Sequence, residues 1–471
     1  MSLKRNWGNE QWCSLSGCLR RLGFAVIVLA GALQCAQPCT AQKADSTEKK
    51  GSAAWPDLLI LHDGTRVSDA QQFTALRRPE ILRDLEENVY GRTPQTVVAT
   101  AMRVTSTDAH ALGGIAIRKQ ITITIGSSPN TRELHLLLYL PAGATMRSPV
   151  FMGLNFNGNQ TVSSDPGIDL NDVWVPDPAL AKTPIAKELS GHVRRRAAED
   201  SRGANASEWP VAMILKAGYG LATIYGGDIE PDFVAGIGYG VRPLLFKPGQ
   251  MIPAADDWGA IGAWAWGMSR AVDYLETDAG VDATAIIAIG HSRFGKTALW
   301  AGAQDKRFAM VISNESGQGG ATLSHRQTGE QISHLNIAFP YWFCANYHHF
   351  TGRTDQMPVD GHFVLALIAP RPLFVASAQQ DPFSDPKGEF LSTAAASQVY
   401  RLFGEEGVNA DANVEVGKPV GDVVRYYVRA GGHDILREDW QQYIAFADEM
   451  LKSRAHAGRK NTQPFETVGA R

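Results

Sequence analysis

Short apolar runs recur along this chain at intervals that leave room for a helix between them. Runs at 150–155, 221–225, 286–289, 309–312, 373–376 and 423–428 predict strands, and apolar positions repeating with helical period predict helices over 260–275 and 296–303. Residues 116–125 and 132–140 read as an antiparallel pair that opens the sheet. Strands alternating with helices in this way wind into a mostly parallel sheet with helices on both faces, so the expected class is α/β, doubly wound. The stretch from 158 to 207 breaks the alternation, because it has no strong periodicity and carries Arg194-Arg195-Arg196. It is either an insertion bordering a site at the sheet edge or a plain surface excursion.

The run at 285–289 leads straight into Gly290-His291-Ser292-Arg293-Phe294 and then into a helical Gly295-Lys296-Thr297-Ala298. A strand, a sharp turn with serine at its apex and a helix make a nucleophile elbow, which lifts the serine Oγ above the carboxyl edge of the sheet among helix N-terminal amides. The general pattern has glycine two residues after the serine; here Phe294 stands there and Gly295 follows. Taken alone, Ser292 could merely cap the helix. A serine becomes a good nucleophile only when a histidine takes its proton, and that histidine needs a carboxylate to hold its tautomer. In this fold the chain order is Ser, acid, His. His433 lies just past the last strand, on the loop Gly431-Gly432-His433-Asp434 and ahead of a helix at 440–451, where the base belongs. Two carboxylates compete for the third role: Glu315, after the strand at 308–312, and Asp381, after the strand at 372–376. The expected architecture is therefore an α/β-hydrolase fold with loop insertions near its active site.

These residues carry a resemblance. Gly290-His291-Ser292-Arg293-Phe294-Gly295-Lys296, Asn314-Glu315-Ser316-Gly317, Gly329-Glu330, Ala369-Pro370-Arg371-Pro372, Asp385-Pro386-Lys387-Gly388-Glu389-Phe390 and Gly432-His433-Asp434 are similar to the glucuronoyl esterases, carbohydrate esterase family 15, of bacterial type, over roughly residues 75–455. The resemblance implies hydrolysis of esters of (4-O-methyl)glucuronic acid on xylan, natively esters to lignin alcohols. Ser292 would attack the uronate carbonyl and His433 would act as base and then acid. Glu315 matches the family's usual acid and is expected as the main partner of His433, with Asp381, at the more general acid position, near enough to substitute in part.

Arg293 has a physical reason to sit beside the nucleophile: its backbone N–H is placed for the oxyanion, and its guanidinium can add charge-assisted donors. The early strand is followed by Gly153-Leu154-Asn155-Phe156-Asn157-Gly158 and not by a His-Gly-Gly-Gly segment, so a side-chain donor would fill a gap. A helix-surface salt bridge is the alternative. Lys296 lies one helical turn beyond Ser292. By resemblance, Lys296 and Glu330 hydrogen-bond the sugar hydroxyls. Phe383 stands where the family commonly has tryptophan; it keeps the apolar wall and lacks the indole donor.

The start of the chain bears on compartment. Lys4, Arg5, Arg20 and Arg21 precede an apolar run at 22–33 that is too short to span a bilayer comfortably, and Cys39-Thr40-Ala41 reads as a cleavage site. Residues 1–41 are thus expected to be a signal peptide, 42–54 a polar linker, 55–456 the catalytic domain and 457–471 a disordered tail. A lipid anchor at Cys35 fits less well, because Gln34 sits where a small residue is needed. Of five cysteines, only Cys344 lies in the mature chain, which rules out an internal disulfide and a cysteine-rich metal site. A hydrophobic fraction of 44% supplies a core, and a net charge of -3 argues against a nucleic-acid partner. A monomer acting outside the cytoplasm, with no cofactor, no metal and no membrane contact after cleavage, is expected. Two other readings remain: another secreted hydrolase of this fold, such as an acetyl xylan esterase or a peptidase, and a non-catalytic carbohydrate-binding relative.

Overall fold

The computed structural model describes residues 55–177 and 191–460. Ten strands form one sheet: β1 (Thr100–His110), β2 (Ala116–Ser127), β3 (Asn130–Pro141), β4 (Ser148–Asn155), β7 (Gly220–Tyr225), β8 (Val281–His291), β9 (Phe308–Asn314), β10 (Leu373–Ala378), β11 (Val420–Gly421) and β12 (Val424–Arg429). Their order is β1-β2-β3-β7-β4-β8-β9-β10-β12-β11. The run from β7 to β12 is parallel, and β1, β2 and β3 pair antiparallel at one edge. The expected opening pair is present, with Ile125 opposite Arg132.

Side chains along the central strands divide between two cores. Ile286 and Ala288 of β8 join the core against the helices Ala260–Leu275, Arg293–Gln304 and Pro386–Leu402; Ile287 and Ile289 join the other, against Val211–Lys216 and Arg437–Lys460. That period-two division is what a parallel sheet covered on both faces requires. Every expected strand is found, the helix after the elbow starts at Arg293 rather than 296, and the last helix carries the chain to residue 460, past the expected domain end at 456. Residues 1–54, 178–190 and 461–471, where the signal-peptide, linker and most of the tail expectations fall, lie outside the described residues. No helix among the described residues is long and apolar enough to cross a membrane.

Several elements escaped the sequence reading, among them the helices Arg78–Asn88 and Pro386–Leu402, β1 and a hairpin. β1 is largely exposed, with an irregular burial pattern, so it offers no alternation to read. Within 158–207 lies a separate hairpin, β5 (Asp172–Pro176) and β6 (His192–Arg196), whose strand β6 holds the three arginines, all exposed. Trp174 of that hairpin packs 5.2 Å from Phe233, the residue after Asp232.

Candidate active site

The carboxyl ends of β8, β9, β10 and β12 deliver Ser292, Glu315, Asp381 and His433 to one edge of the sheet. Ser292 has φ 58° and ψ -127°, a backbone state that a β-carbon disfavours and that the surrounding structure must impose. Its N–H donates to Asn314 O at 2.9 Å, and its carbonyl accepts from Gly295 and Lys296. Gly290 is required: a β-carbon there would lie 1.8 Å from Phe294 O. Phe294 is tolerated in the usual glycine position because its ring turns aside, stacking on Phe156 at 4.5 Å and meeting Trp264 edge-on at 5.2 Å. Gly226 yields the space, since a β-carbon on it would be 2.4 Å from that ring.

The ring of His433 packs 4.6 Å from that of His291, the residue before Ser292. Its Nδ1 faces both candidate acids, Asp381 Oδ2 at 2.7 Å and Glu315 Oε2 at 3.2 Å. Burial opposes a charge on His433, but the two carboxylates outweigh it and raise its pKa to about 9. The acids themselves diverge. Burial pushes Glu315 up to about 7 despite His433 and Arg429 beside it. At Asp381 burial is outweighed by the hydrogen bond and charge of His433, which hold the carboxyl down at about 2. The resemblance ranked Glu315 first; distance and charge put Asp381 nearer.

Glu315 is shut into the protein by other bonds. Oε1 accepts from Arg429 Nη2 at 2.7 Å and Oε2 from the Asp434 N–H at 2.9 Å. Arg429, buried at the end of β12, also donates to the carbonyls of Gly432 and Asp434 and pairs with Asp439 at 3.0 Å. It thereby fixes both sides of the His433 loop. Asp381 has a lighter support, the Phe383 N–H at 2.8 Å.

Arg293 opens the helix, so its N–H has no intrahelical partner. Asp232 pairs with its Nη1, while Nε is buried with no hydrogen-bond partner among the described residues. The guanidinium lies 4.7 Å over the Trp342 ring, and Asp232 is itself fixed by the Tyr341 hydroxyl and the Trp342 indole, each at 2.8 Å. Lys296 is 3 % exposed; its Nζ stands 3.3 Å from Glu330 Oε2 and 5.5 Å from the Trp342 ring. Glu330 donates its N–H to Phe383 O at 2.8 Å, and Phe383, 40 % exposed, meets His433 edge-on at 5.9 Å. All eight expected site residues therefore lie in one connected cluster.

His291, Glu315 and His433 offer donor atoms within 4.8 Å of one another. Nδ1 of His291 is bonded to Asn314 Oδ1 and Nδ1 of His433 to Asp381 Oδ2.

A family model for fungal glucuronyl esterases matches residues 250–404, the stretch containing Ser292, Glu315 and Asp381. A carbohydrate esterase from an unknown prokaryotic organism is 43% identical over 403 residues, covering 85% of this chain and 90% of its own. A solved glucuronoyl esterase from Solibacter usitatus is 50% identical with a TM-score of 0.79, covering 84% of this chain and 98% of its own. The chain belongs to the glucuronoyl esterases, carbohydrate esterase family 15. It is a carboxylic ester hydrolase. A promiscuous esterase of the family from a marine bacterial metagenome is 42% identical with a TM-score of 0.75, covering 84% of this chain and 97% of its own.

The same cluster contains residues to which sequence reasoning gave no role: Arg429, Asp232, Trp342 and Asn314. Asn314 stood in the motif Asn314-Glu315-Ser316-Gly317, and Arg429 left a trace as a charged residue closing an otherwise apolar strand end. Asp232 and Trp342 sit in loops without periodicity, and Asn314 acts through both its backbone and its amide, which donates to Tyr443 at 2.8 Å. Cys344 is free and buried.

Proposed function

We propose that the esterase cleaves the ester between (4-O-methyl)glucuronic acid on glucuronoxylan and an alcohol, including the lignin alcohols of lignin-carbohydrate links. The observation that carries this reading is the Lys296–Glu330 pair: a buried lysine over Trp342, one helical turn from the nucleophile, facing a half-buried carboxylate at 3.3 Å. Buried charges hold their place only if paired and hydrogen-bonded, and a sugar's hydroxyls can bond both at once. The names of the relatives support the same substrate class.

In this mechanism Ser292 Oγ attacks the uronate carbonyl and passes its proton to His433 Nε2, which Asp381 and Glu315 orient through Nδ1. The negative charge that forms on the carbonyl oxygen is met by the Arg293 N–H and by its unpartnered Nε, both fixed before the substrate arrives. His433 then protonates the leaving alcohol. Water, deprotonated by His433, releases the glucuronate from Ser292. Asp381 is the principal orienting acid, because it is the closer and the more firmly ionised.

Residues 1–41 would export the chain, which would act as a monomer in the periplasm or outside the cell; mass analysis of the mature N-terminus tests the cleavage. Turnover of benzyl glucuronate beside acetate release from acetylated xylan tests the substrate. The first should dominate, and activity confined to acetyl esters would overturn the assignment. Failure of a fluorophosphonate to label Ser292 would overturn the nucleophile.

A further inference from the structure

Glu389 lies fully buried in the first turn of the helix Pro386–Leu402, beneath the two acids that face His433. Its carboxyl spans the loops that carry them. Oε1 accepts from the Gly317 N–H at 2.9 Å, with Ser316 Oγ at 3.4 Å, and Oε2 meets Ser377 Oγ at 2.5 Å. Gly317 is two residues past Glu315, and Ser377 is four before Asp381. One further bond joins the loops directly, from the Glu315 N–H to Ala376 O at 2.7 Å.

No cation pairs with Glu389 among the described residues. The charged and titratable groups facing it are Glu315 from beyond β9, Asp381 from beyond β10 and Tyr426 from β12. Asp385, one turn earlier on its own helix, is occupied by Arg326 at 2.9 Å. A carboxylate in that setting would be buried, unpaired and repelled by two others, so the proton stays on: burial first, then its acidic neighbours, push Glu389 up to about 8. The neutral acid suits its partners. Its hydroxyl can donate to Ser377 Oγ while its carbonyl accepts the Gly317 N–H.

We propose that Glu389 is a positioning residue, a neutral carboxylic acid that clasps Gly317 and Ser377 and so sets the spacing of the Glu315 and Asp381 loops around His433. It touches no substrate. It acts only through the two carboxylates, and it rests on the triad reading above but not on the identity of the sugar. When Glu389 ionises at high pH, a third negative charge beside Glu315 and Asp381 tightens the hold of His433 on its proton.

The test compares Glu389→Gln, Glu389→Ala and Ser377→Ala in the full chain by kcat, KM and pH profile on benzyl glucuronate, with thermal melting as a check on folding. Glutamine keeps both bonds and cannot ionise, so Glu389→Gln should hold kcat within about threefold of wild type, and the midpoint of the rise in kcat/KM with pH should fall by roughly half a unit. Glu389→Ala should lower kcat by roughly ten- to a hundredfold with little change in KM, as expected when the acids shift by a fraction of an ångström to about 1 Å. Ser377→Ala, which loses one of the two clasps, should fall between. Folded Glu389→Gln protein as inactive as Glu389→Ala would overturn the proposal, since it would show that a charge is needed. So would an unmoved pH midpoint in Glu389→Gln. If Glu389→Ala does not fold, Glu389→Gln and Ser377→Ala still decide. Wild type that fails on benzyl glucuronate but cleaves phenyl acetate would count against the substrate alone, and the same comparison then runs on phenyl acetate.

Discussion

The loops after β9 and β10 bring a carboxylate to the same nitrogen of His433, yet they hold it in opposite ways. Glu315 is braced on the inside by Arg429 and the Asp434 N–H, in a backbone state with φ 48°. Asp381 accepts from the N–H of Phe383, whose ring is partly exposed and whose carbonyl accepts from Glu330. One acid is built into the frame, and the other faces the side where Lys296 and Glu330 stand. The lesson is that two carboxylates facing one histidine nitrogen can be held for different work. Glu315 bonds Arg429 and the Asp434 N–H and so holds the His433 loop; in the proposed mechanism that makes Asp381 the counter-charge for the imidazolium in the transition state.

The sharpest way to break this comparison is to remove each acid in turn. Asp381→Ala should lower kcat by about a thousand- to ten-thousandfold, the scale for an orienting carboxylate. Glu315→Ala should cost less in kcat, about ten- to a hundredfold, but more in stability, roughly 3 kcal/mol, because Arg429 loses a buried partner. The double variant should fall short of the product of the two losses, as groups serving one function do. Steady-state kinetics and denaturant melts read both axes. The reverse pattern, with Glu315→Ala losing the full factor and Asp381→Ala nearly silent, would return the main role to Glu315.

A second separation concerns the sugar side. Lys296→Ala and Glu330→Ala should each cost roughly 2 to 5 kcal/mol of transition-state binding on methyl glucuronate, since each removes one partner of a charged pair that is buried at Lys296, and much less on a simple alkyl acetate. Equal losses on both esters would make the pair part of the frame, like Glu315, and would break the division between an inner and an outer loop.

Protonation sharpens it again. His433 must be neutral to take the serine proton, so kcat/KM should rise with pH as the imidazole loses its proton, with a midpoint near the raised pKa of about 9. Removing a negative neighbour lowers that pKa. Asp381→Asn should therefore move the midpoint to lower pH, and Glu315→Gln should move it less, because Glu315 stands farther from Nδ1, at 3.2 Å against 2.7 Å, and its charge is already met by Arg429. A larger shift from Glu315→Gln would contradict the charges assigned here.

Much of this was legible in the chain. The elbow announces itself because a turn this tight needs Gly290 and leaves a serine at a strand end, and the strands carrying the acids are apolar runs with an acid just beyond. The ranking of the acids was not legible: it depends on Arg429, which is separated from Glu315 by more than a hundred residues and meets it only when β12 pairs beside β10. Asp232 was hidden for the same reason, its partners Arg293, Tyr341 and Trp342 being distant in sequence. The clasp at Glu389 lay inside a motif that the sequence displayed, but its two loops are brought together only by the sheet.

The smallest expected effect tests whether the outer loop can be improved. Phe383 occupies a position where an indole would keep the apolar wall and add one donor. Its ring already stands edge-on to His433, and its backbone ties Asp381 to Glu330, so a larger ring has to be accommodated without moving either bond. Partial exposure gives it room to do so. Phe383→Trp should lower KM for methyl glucuronate by about two- to tenfold, the worth of a single hydrogen bond of roughly 0.5 to 1.5 kcal/mol, with kcat unchanged and no effect on a simple alkyl acetate. A fall in kcat would mean that the ring had pushed Asp381 off His433, and the outer loop would then be as tightly constrained as the inner one.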